Sequence, residues 1–208
     1  MRTRTRSWLA ALVVGITAMS SLAIDVQAAQ AFPPGDPVFP FEYIIDATTH
    51  IKKLDQTITI KNGGFAGGID LITGALVGTI NLPPATFTFH AAGIVPLITA
   101  TAKIVPSKLV TGRVDLSNLN VTATATFYIR IVKAYATGIP VNLVGNSCVT
   151  SKPVIVTMRG AASFGSPSTL SGVFTLPTFK TCGLVVTTAL NQLLPGPGNT
   201  FTATATPT

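Results

Sequence analysis

Hydrophobic and polar residues alternate most regularly between residues 120 and 134. The apolar positions of this segment are Val121, Ala123, Ala125, Phe127, Ile129 and Ile131. The polar positions between them are Thr122, Thr124, Thr126, Tyr128 and Arg130. Because successive side chains of a strand point to opposite faces, the pattern predicts one long strand with an apolar face and a hydroxyl-rich face. We expect it to be the central strand of a sheet.

Shorter patterns of the same kind follow one another along the chain, separated by Gly and Pro. The predicted strands cover residues 41–46, 47–60 (clearest at 57–60), 76–82, 86–90, 97–105, 110–116, 141–144, 154–159, 170–176, 184–190 and 200–206. A Thr-rich disordered end is the alternative for residues 200–206. A Lys-Asn-Gly-Gly run at residues 61–64 predicts a turn, and residues 187–194 are the best candidate for a helical turn. About ten short strands at regular spacing are typical of an all-β antiparallel sandwich or barrel.

The first residues have the composition of an export signal. Arg2, Arg4 and Arg6 precede an apolar stretch that starts at Trp8, and small residues follow. This order predicts a signal peptide over residues 1–28, with cleavage after residue 31 as the alternative. The apolar stretch is short for an uncleaved membrane anchor. We expect residues 29–40 to form a Pro-rich arm and residues 41–208 to form a single domain that is secreted or held in the cell envelope.

The chain has two cysteines, Cys148 and Cys182. An even number of cysteines in an exported protein favours one structural disulfide. A reactive thiol is the alternative, but neither cysteine has a neighbouring His or a partner in a CxxC motif. We therefore expect a disulfide.

Charge and composition exclude some classes of partner. Only 10% of the residues are charged, the net charge is +7, and the mean hydropathy is +0.54. The cations are dispersed along the sequence apart from Lys52 and Lys53. Nucleic-acid binding normally requires clustered Arg and Lys, so we expect no nucleic-acid partner. A weak attraction to anionic envelope polymers or lipid headgroups is compatible with this charge.

No motif predicts catalysis. The two histidines, His50 and His90, have no nucleophile motif near them, and the Gly-rich segment 63–78 has neither a Walker nor a dinucleotide pattern. Metal ligands do not occur at short spacing either. We expect no catalytic residue, metal or cofactor. A hydrolase would instead bring His50 or His90 within hydrogen-bond reach of a carboxylate and a hydroxyl.

These observations favour a non-catalytic binding or structural module with a filled core. The leading alternative is a carrier of a lipid-like apolar ligand, which would require a cavity on the order of several hundred Å³. Its candidate wall residues, which would equally suit a plain core, are Phe87, Phe89, Phe127, Ile129 and Ile131. An envelope-spanning barrel with hydroxyls inside is a further alternative. No transmembrane helix is expected after signal cleavage.

Several motifs spread over most of the mature chain carry a resemblance: TGALVGTINLPP, NSCVTSKPV, TLSGVFTLPTFKTCGL and LLPGPGNTF. Together with the Arg-rich leader, they resemble a group of small exported actinobacterial proteins of uncharacterised function. The resemblance implies no ligand and no activity. It implies a structural pairing of Cys148 with Cys182, and a location in the cell envelope or the medium.

Overall fold

A computed structural model describes residues 32, 37–91, 94–163 and 165–208. The predicted signal peptide and residues 29–31 and 33–36 of the predicted arm lie outside the described residues. The strands are β1 (Val38–Ile51), β2 (Gln56–Asp70), β3 (Ala75–Asn81), β4 (Ala85–Ala91), β5 (Ile94–Pro106), β6 (Val110–Val114), β7 (Asn120–Ala136), β8 (Val149–Thr150), β9 (Val154–Ala161), β10 (Ser168–Leu176), β11 (Phe179–Lys180) and β12 (Gly196–Pro207). A 3-10 turn, Lys52–Leu54, and one helix, α1 (Leu184–Leu193), complete the described elements.

Eight antiparallel strands form a closed barrel. Their order around the ring is β7-β6-β3-β2-β1-β12-β10-β9, and pairing of β9 with β7 closes it. This confirms the predicted all-β fold as a barrel. In this ring β1 is four strands away from β7 in either direction, so the two strands form opposite walls.

The predicted central strand is the longest element of the barrel. Its apolar positions point inward and are buried, except that Ile129 is only partly buried. The pairing with β5 shifts register between Thr101 and Ala102, opposite Val132, so the inward positions continue at Ala134 and Ala136. This bulge keeps small apolar side chains facing the interior to the end of β7.

The two halves of β7 have different neighbours, and they define two halves of the barrel. In the lower half, residues 121–124 of β7 lie between β6 and β9. In the upper half, residues 127–136 pair with β5, which also pairs with β4, while Arg130 pairs with β8. Within the described residues no backbone ladder joins β4 to β2. Instead, the Gln56 Nε2 atom donates a 2.6 Å hydrogen bond to the Thr88 carbonyl.

The predicted disulfide is confirmed and lies in the upper half. Cys148 and Cys182 are bonded and fully buried. They join the segment before β8 to the segment after β11. The bond therefore fastens the β8–β11 pair and the start of α1 to one another.

Four local predictions are wrong. Residues 47–60 do not form one strand, because residues 47–51 end β1 and the 3-10 turn Lys52–Leu54 separates them from β2. The predicted turn at residues 61–64 is a bulge inside β2: Asn62 has a φ of 58°, its amide donates to Asp46 Oδ1, and the strand continues to Asp70. Gly63 is buried there, where a Cβ would lie 2.5 Å from Leu82 Cδ2. The asparagine and glycine therefore serve a register shift rather than a chain reversal.

Residues 184–190, predicted as a strand, belong to helix α1. Val186, Leu190 and Leu194 are four residues apart, and all three pack towards the core, which is the spacing of one helix face. Residues 141–144 form no strand. The Asn142 side chain instead accepts a hydrogen bond from the Ala134 amide, so a side chain satisfies the edge of β7 in place of a ladder.

Candidate ligand-binding cavities in the barrel

The upper half of the barrel encloses an apolar cavity of about 70 Å³. Among the described residues, its lining has a single polar residue, Thr49, and five phenylalanines. The lining residues are Thr49, Ile51, Ile58, Ile60, Ala85, Phe87, Ala102, Ile104, Phe127, Ile129, Ile131, Phe174, Leu176, Phe179, Leu194 and Phe201. Such a surface offers dispersion contacts and almost no hydrogen bonds, so it suits an apolar group.

The lower half encloses a second apolar cavity, of about 80 Å³. Its lining is Phe41, Tyr43, Ile45, Phe65, Ile69, Leu76, Ile80, Val110, Val114, Val121, Ala123, Met158, Ala162, Ser168, Leu170, Ala203 and Ala205. The Ser168 hydroxyl is already used, since it accepts a 2.8 Å hydrogen bond from the Ser163 amide. The lower cavity is therefore also lined almost wholly by apolar groups.

A layer of small side chains separates the two cavities. Ala47 on β1, Ala125 on β7 and Val156 on β9 are almost fully buried and line neither cavity. Ala125 and Val156 are directly opposite each other in the β7–β9 register. The interior is thus built as layers, as in other small barrels, with the voids above and below the smallest layer.

Four of the five predicted wall residues meet at the upper cavity. Phe87, Phe127, Ile129 and Ile131 line it. Phe89 does not line it; its buried ring stacks on Phe87 with a centroid distance of 5.8 Å. The pattern of alternation therefore places these side chains on the inner surface of the barrel.

Sequence reasoning missed the other half of the upper wall, which comes from distant parts of the chain. The missed residues include Phe174, Phe179, Leu194 and Phe201. Phe201 was detectable, since it alternates with threonines in the last strand. Phe179 and Leu194 gave no such signal because they lie in a two-residue strand and just after a helix.

Two ionisable groups have shifted pKa values near the lower end. Burial raises the pKa of Tyr43, which lines the lower cavity. The pKa of Asp115 is lowered, mainly because its carboxylate accepts a hydrogen bond from the Ser117 hydroxyl and a second from the Ser117 amide. Asp115 is exposed in the turn before β7, so these bonds organise a turn and do not enter the cavity.

The only described histidine side chain lies outside the barrel. His50 Nε2 is 3.6 Å from Asp55 Oδ1, and His50 Nδ1 is 3.4 Å from the Thr57 hydroxyl. This is the set of groups expected of a hydrolase, but the Asp55 side chain is 95% exposed. A triad carboxylate is buried so that it can orient the imidazole. We therefore infer that these contacts stabilise the turn between β1 and β2. The side chain of His90 lies outside the described part of the chain.

Among the described residues, no group of three or more His, Cys, Asp or Glu side chains could hold a metal ion. In the same part of the chain, no helix is long and apolar enough to cross a membrane.

Comparison with protein-family models, curated proteins and solved structures found no match. The disulfide indicates an oxidising environment outside the cytoplasm.

Proposed function

We propose that this protein is an exported, non-catalytic binding module whose upper cavity takes a small apolar molecule, or the apolar end of a larger one. The observation that carries the proposal is a cavity that fifteen apolar residues and one threonine of the described chain line, inside a wall that backbone pairing of these described strands leaves incomplete. A merely structural barrel would gain dispersion contacts by filling that space.

The volume sets the class of ligand. A dry cavity of about 150 Å³ lined by Leu, Ile and Phe binds benzene, and sites for drug-sized ligands hold about 300–1,000 Å³. The upper cavity, at about 70 Å³, is smaller than both. It matches a small ring after modest side-chain rotation, or the tip of an alkyl chain, but not a whole lipid.

The seam between β2 and β4 supplies a route to the cavity. Ile58 and Ile60 on β2, and Ala85 and Phe87 on β4, all line the cavity on either side of this seam. Within the described residues, the Gln56 side chain is the one hydrogen-bonded bridge across it. Separating the two strands there breaks no backbone ladder, so opening costs less than it would in the lower half.

Isoleucine methyl NMR with benzene and n-octane as probes tests the proposal. Ile58, Ile60 and Ile131 report on the upper cavity, whereas Ile45 and Ile69 report on the lower one. We expect saturable shifts of the upper methyl signals. Absence of such shifts at probe saturation, together with a ligand-free mass in native mass spectrometry, would contradict the proposal in favour of a structural barrel.

Matched filling variants localise the site. Ala102→Phe places a ring into the upper cavity, and Ala205→Phe places the same ring into the lower one. We expect the first to abolish the benzene shifts and the second to preserve them, with both variants still folded by circular dichroism. Equal loss in both variants would assign the shifts to general loosening of the barrel.

A further inference from the structure

The charges of the chain are distributed unevenly around the barrel. After residue 81 the sequence has eight Lys and Arg residues but a single acid, Asp115. Two of the described carboxylates, Glu42 and Asp46, are exposed on β1. Since β1 and β7 form opposite walls, the β7 side carries positive charge that the acids of β1 do not neutralise.

The sheet register concentrates four cations on the β7 wall of the upper half. Lys103 on β5 is directly opposite Arg130 on β7, Arg130 is opposite Val149 on β8, and Val149 is opposite Lys180 on β11. Beyond the register shift in β7, Lys133 is opposite Thr101. The cationic row consists of Lys103, Arg130, Lys133 and Lys180, all of them exposed.

This arrangement is unfavourable for the protein alone. Like charges directly opposite each other on neighbouring strands destabilise a sheet, and Lys103 with Arg130 is such a pair. The strands β5, β7, β8 and β11 contain no Asp or Glu that could compensate. The guanidinium of Arg130 is also held in place, because it donates to the Asn146 carbonyl. An anion bound at the row would relieve the repulsion.

Hydroxyl groups adjoin the cationic row. The Thr101 hydroxyl is 2.9 Å from that of Thr86, and the Thr88 and Thr99 hydroxyls are 3.2 Å apart on the same two strands. Hydroxyls can donate and accept, so they suit the alcohol groups of a sugar or polyol chain. The wall therefore combines charge for an anion with hydrogen-bonding groups for a hydroxylated backbone.

We propose that the cationic row binds an extended anionic polymer with phosphodiester groups on a sugar or polyol backbone. The row crosses four neighbouring strands, a width of about 14 Å at the usual strand spacing. A flexible chain can follow this convex wall and meet every cation. A flat lipid surface would touch the wall along a line and meet fewer of them.

Binding to poly(glycerol phosphate) at low and moderate salt tests this site. We expect saturable binding to the full mature protein, with affinity falling as salt rises because condensed counterions are released. Neutral dextran should not bind. Absence of saturable binding to poly(glycerol phosphate) at low salt overturns the proposal.

Two double variants with the same change in net charge provide the decisive comparison. Lys103→Gln with Arg130→Gln removes two charges from the row, and Lys52→Gln with Lys53→Gln removes two from the turn after β1. We expect about a tenfold or greater loss of affinity for the first and less than about twofold for the second, at matched circular dichroism. Equal losses overturn the proposal, since net charge alone would then govern binding.

Two further probes test the class of polyanion. Single-stranded DNA presents phosphodiesters without the polyol hydroxyls, and vesicles of phosphatidylglycerol present them on a surface. Weaker binding of both than of poly(glycerol phosphate), compared at equal phosphate concentration, supports the proposal. Tighter binding of the DNA than of poly(glycerol phosphate) overturns the choice of a polyol polymer. Tighter binding of the vesicles overturns it as well if the Lys103 and Arg130 double variant weakens that binding.

Discussion

The upper and lower halves of the barrel have similar interiors inside very different walls. Their cavities are about 70 and 80 Å³, and apolar side chains line nearly all of both. In the lower half, every strand of the ring is hydrogen-bonded to its two neighbours. In the upper half, the β4–β5 and β8–β11 pairs extend from β7, and within the described residues no ladder joins either pair to the opposite wall.

The difference teaches that interior chemistry alone does not make a binding site. A void inside a continuous ladder exchanges its contents through the ends of the barrel or when backbone hydrogen bonds break, whereas side-chain contacts close the upper void along the β2–β4 seam of the described residues. Phe179 and Leu194, from outside the ring, complete the upper wall. The disulfide fastens those outer segments. We therefore expect the upper half to open first and the lower half to act as the scaffold.

The largest expected effect comes from truncating a side chain that the upper wall shares with the barrel core. Phe127→Ala removes a ring that is 6% exposed and lines the upper cavity. We expect a loss of about 3–5 kcal/mol in the free energy of unfolding, measured by urea denaturation, because the existing void would grow.

Thr124→Ala on the outer face of the same strand is the matched control for that truncation. Thr124→Ala loses one hydroxyl contact, to Thr157. Apart from that loss, we expect the free energy of unfolding to change by no more than about 0.5 kcal/mol. Similar effects of the two substitutions would mean that Phe127 is not part of a packed wall.

Removing the disulfide should have the second largest effect on stability. Cys148→Ser with Cys182→Ser opens a loop with a sequence separation of 34. The chain-entropy model predicts a loss of about 4 kcal/mol in the free energy of unfolding, and losses for other native disulfides range from about 2 to 5 kcal/mol. Hydrogen exchange should accelerate more at residues 127–136 than at residues 121–124 of β7. Uniform acceleration along the strand would show that the halves do not open separately.

The sequence predicted the strands of the ring better than the segments outside the ring, for a physical reason. Period-2 alternation records which face of a strand is buried, and it correctly assigned Val121 and Phe127 to the interior. It could not distinguish the bulge at Asn62 from a turn, because both need positive φ. The order of strands around the ring depends on long-range pairing, which no local pattern records.

The candidate cavity was predictable only as far as its strands were. Four wall residues from β4 and β7 could be named because alternation marks them, yet the same pattern would also fit a filled core. Whether a void exists depends on how side chains from β2, β10 and β12 meet across the barrel. The cationic row could not be predicted for the same reason, since Lys103 and Lys180 are far apart in sequence and only the strand register places them on the same wall.

A smaller effect should follow from weakening the seam of the upper half. Gln56→Ala removes the side-chain bridge to Thr88, and it also removes a buried Oε1 atom that has no hydrogen-bond partner within the described residues. These two effects oppose each other, so we expect a stability change of at most about 1 kcal/mol.

Exchange of benzene at the upper methyl groups should nevertheless become faster in the Gln56→Ala variant, as measured by NMR line shapes. The exposed Gln192→Ala is the control and should leave exchange unchanged. Unchanged exchange in both variants would place the route to the cavity elsewhere.

The smallest expected effect concerns the lower half and is pH-dependent. Burial raises the pKa of Tyr43 in the folded state, so the unfolded chain ionises first as the pH rises. The contribution of this group to stability is fully present below the ordinary tyrosine pKa of about 10, and it is lost as the pH rises through the folded value. Tyr43→Phe should therefore flatten the fall in urea midpoint above about pH 10.

The same titration separates the two halves of the barrel. Tyr43 lines the lower cavity, and none of the described residues that line the upper cavity is a tyrosine, so the alkaline loss that depends on Tyr43 should appear in the methyl signals of Ile45 and Ile69. The signals of Ile58 and Ile131 should respond to pH equally in the wild type and Tyr43→Phe. If the lower signals changed equally in the wild type and Tyr43→Phe, the partial burial of Tyr43 would not limit alkaline stability.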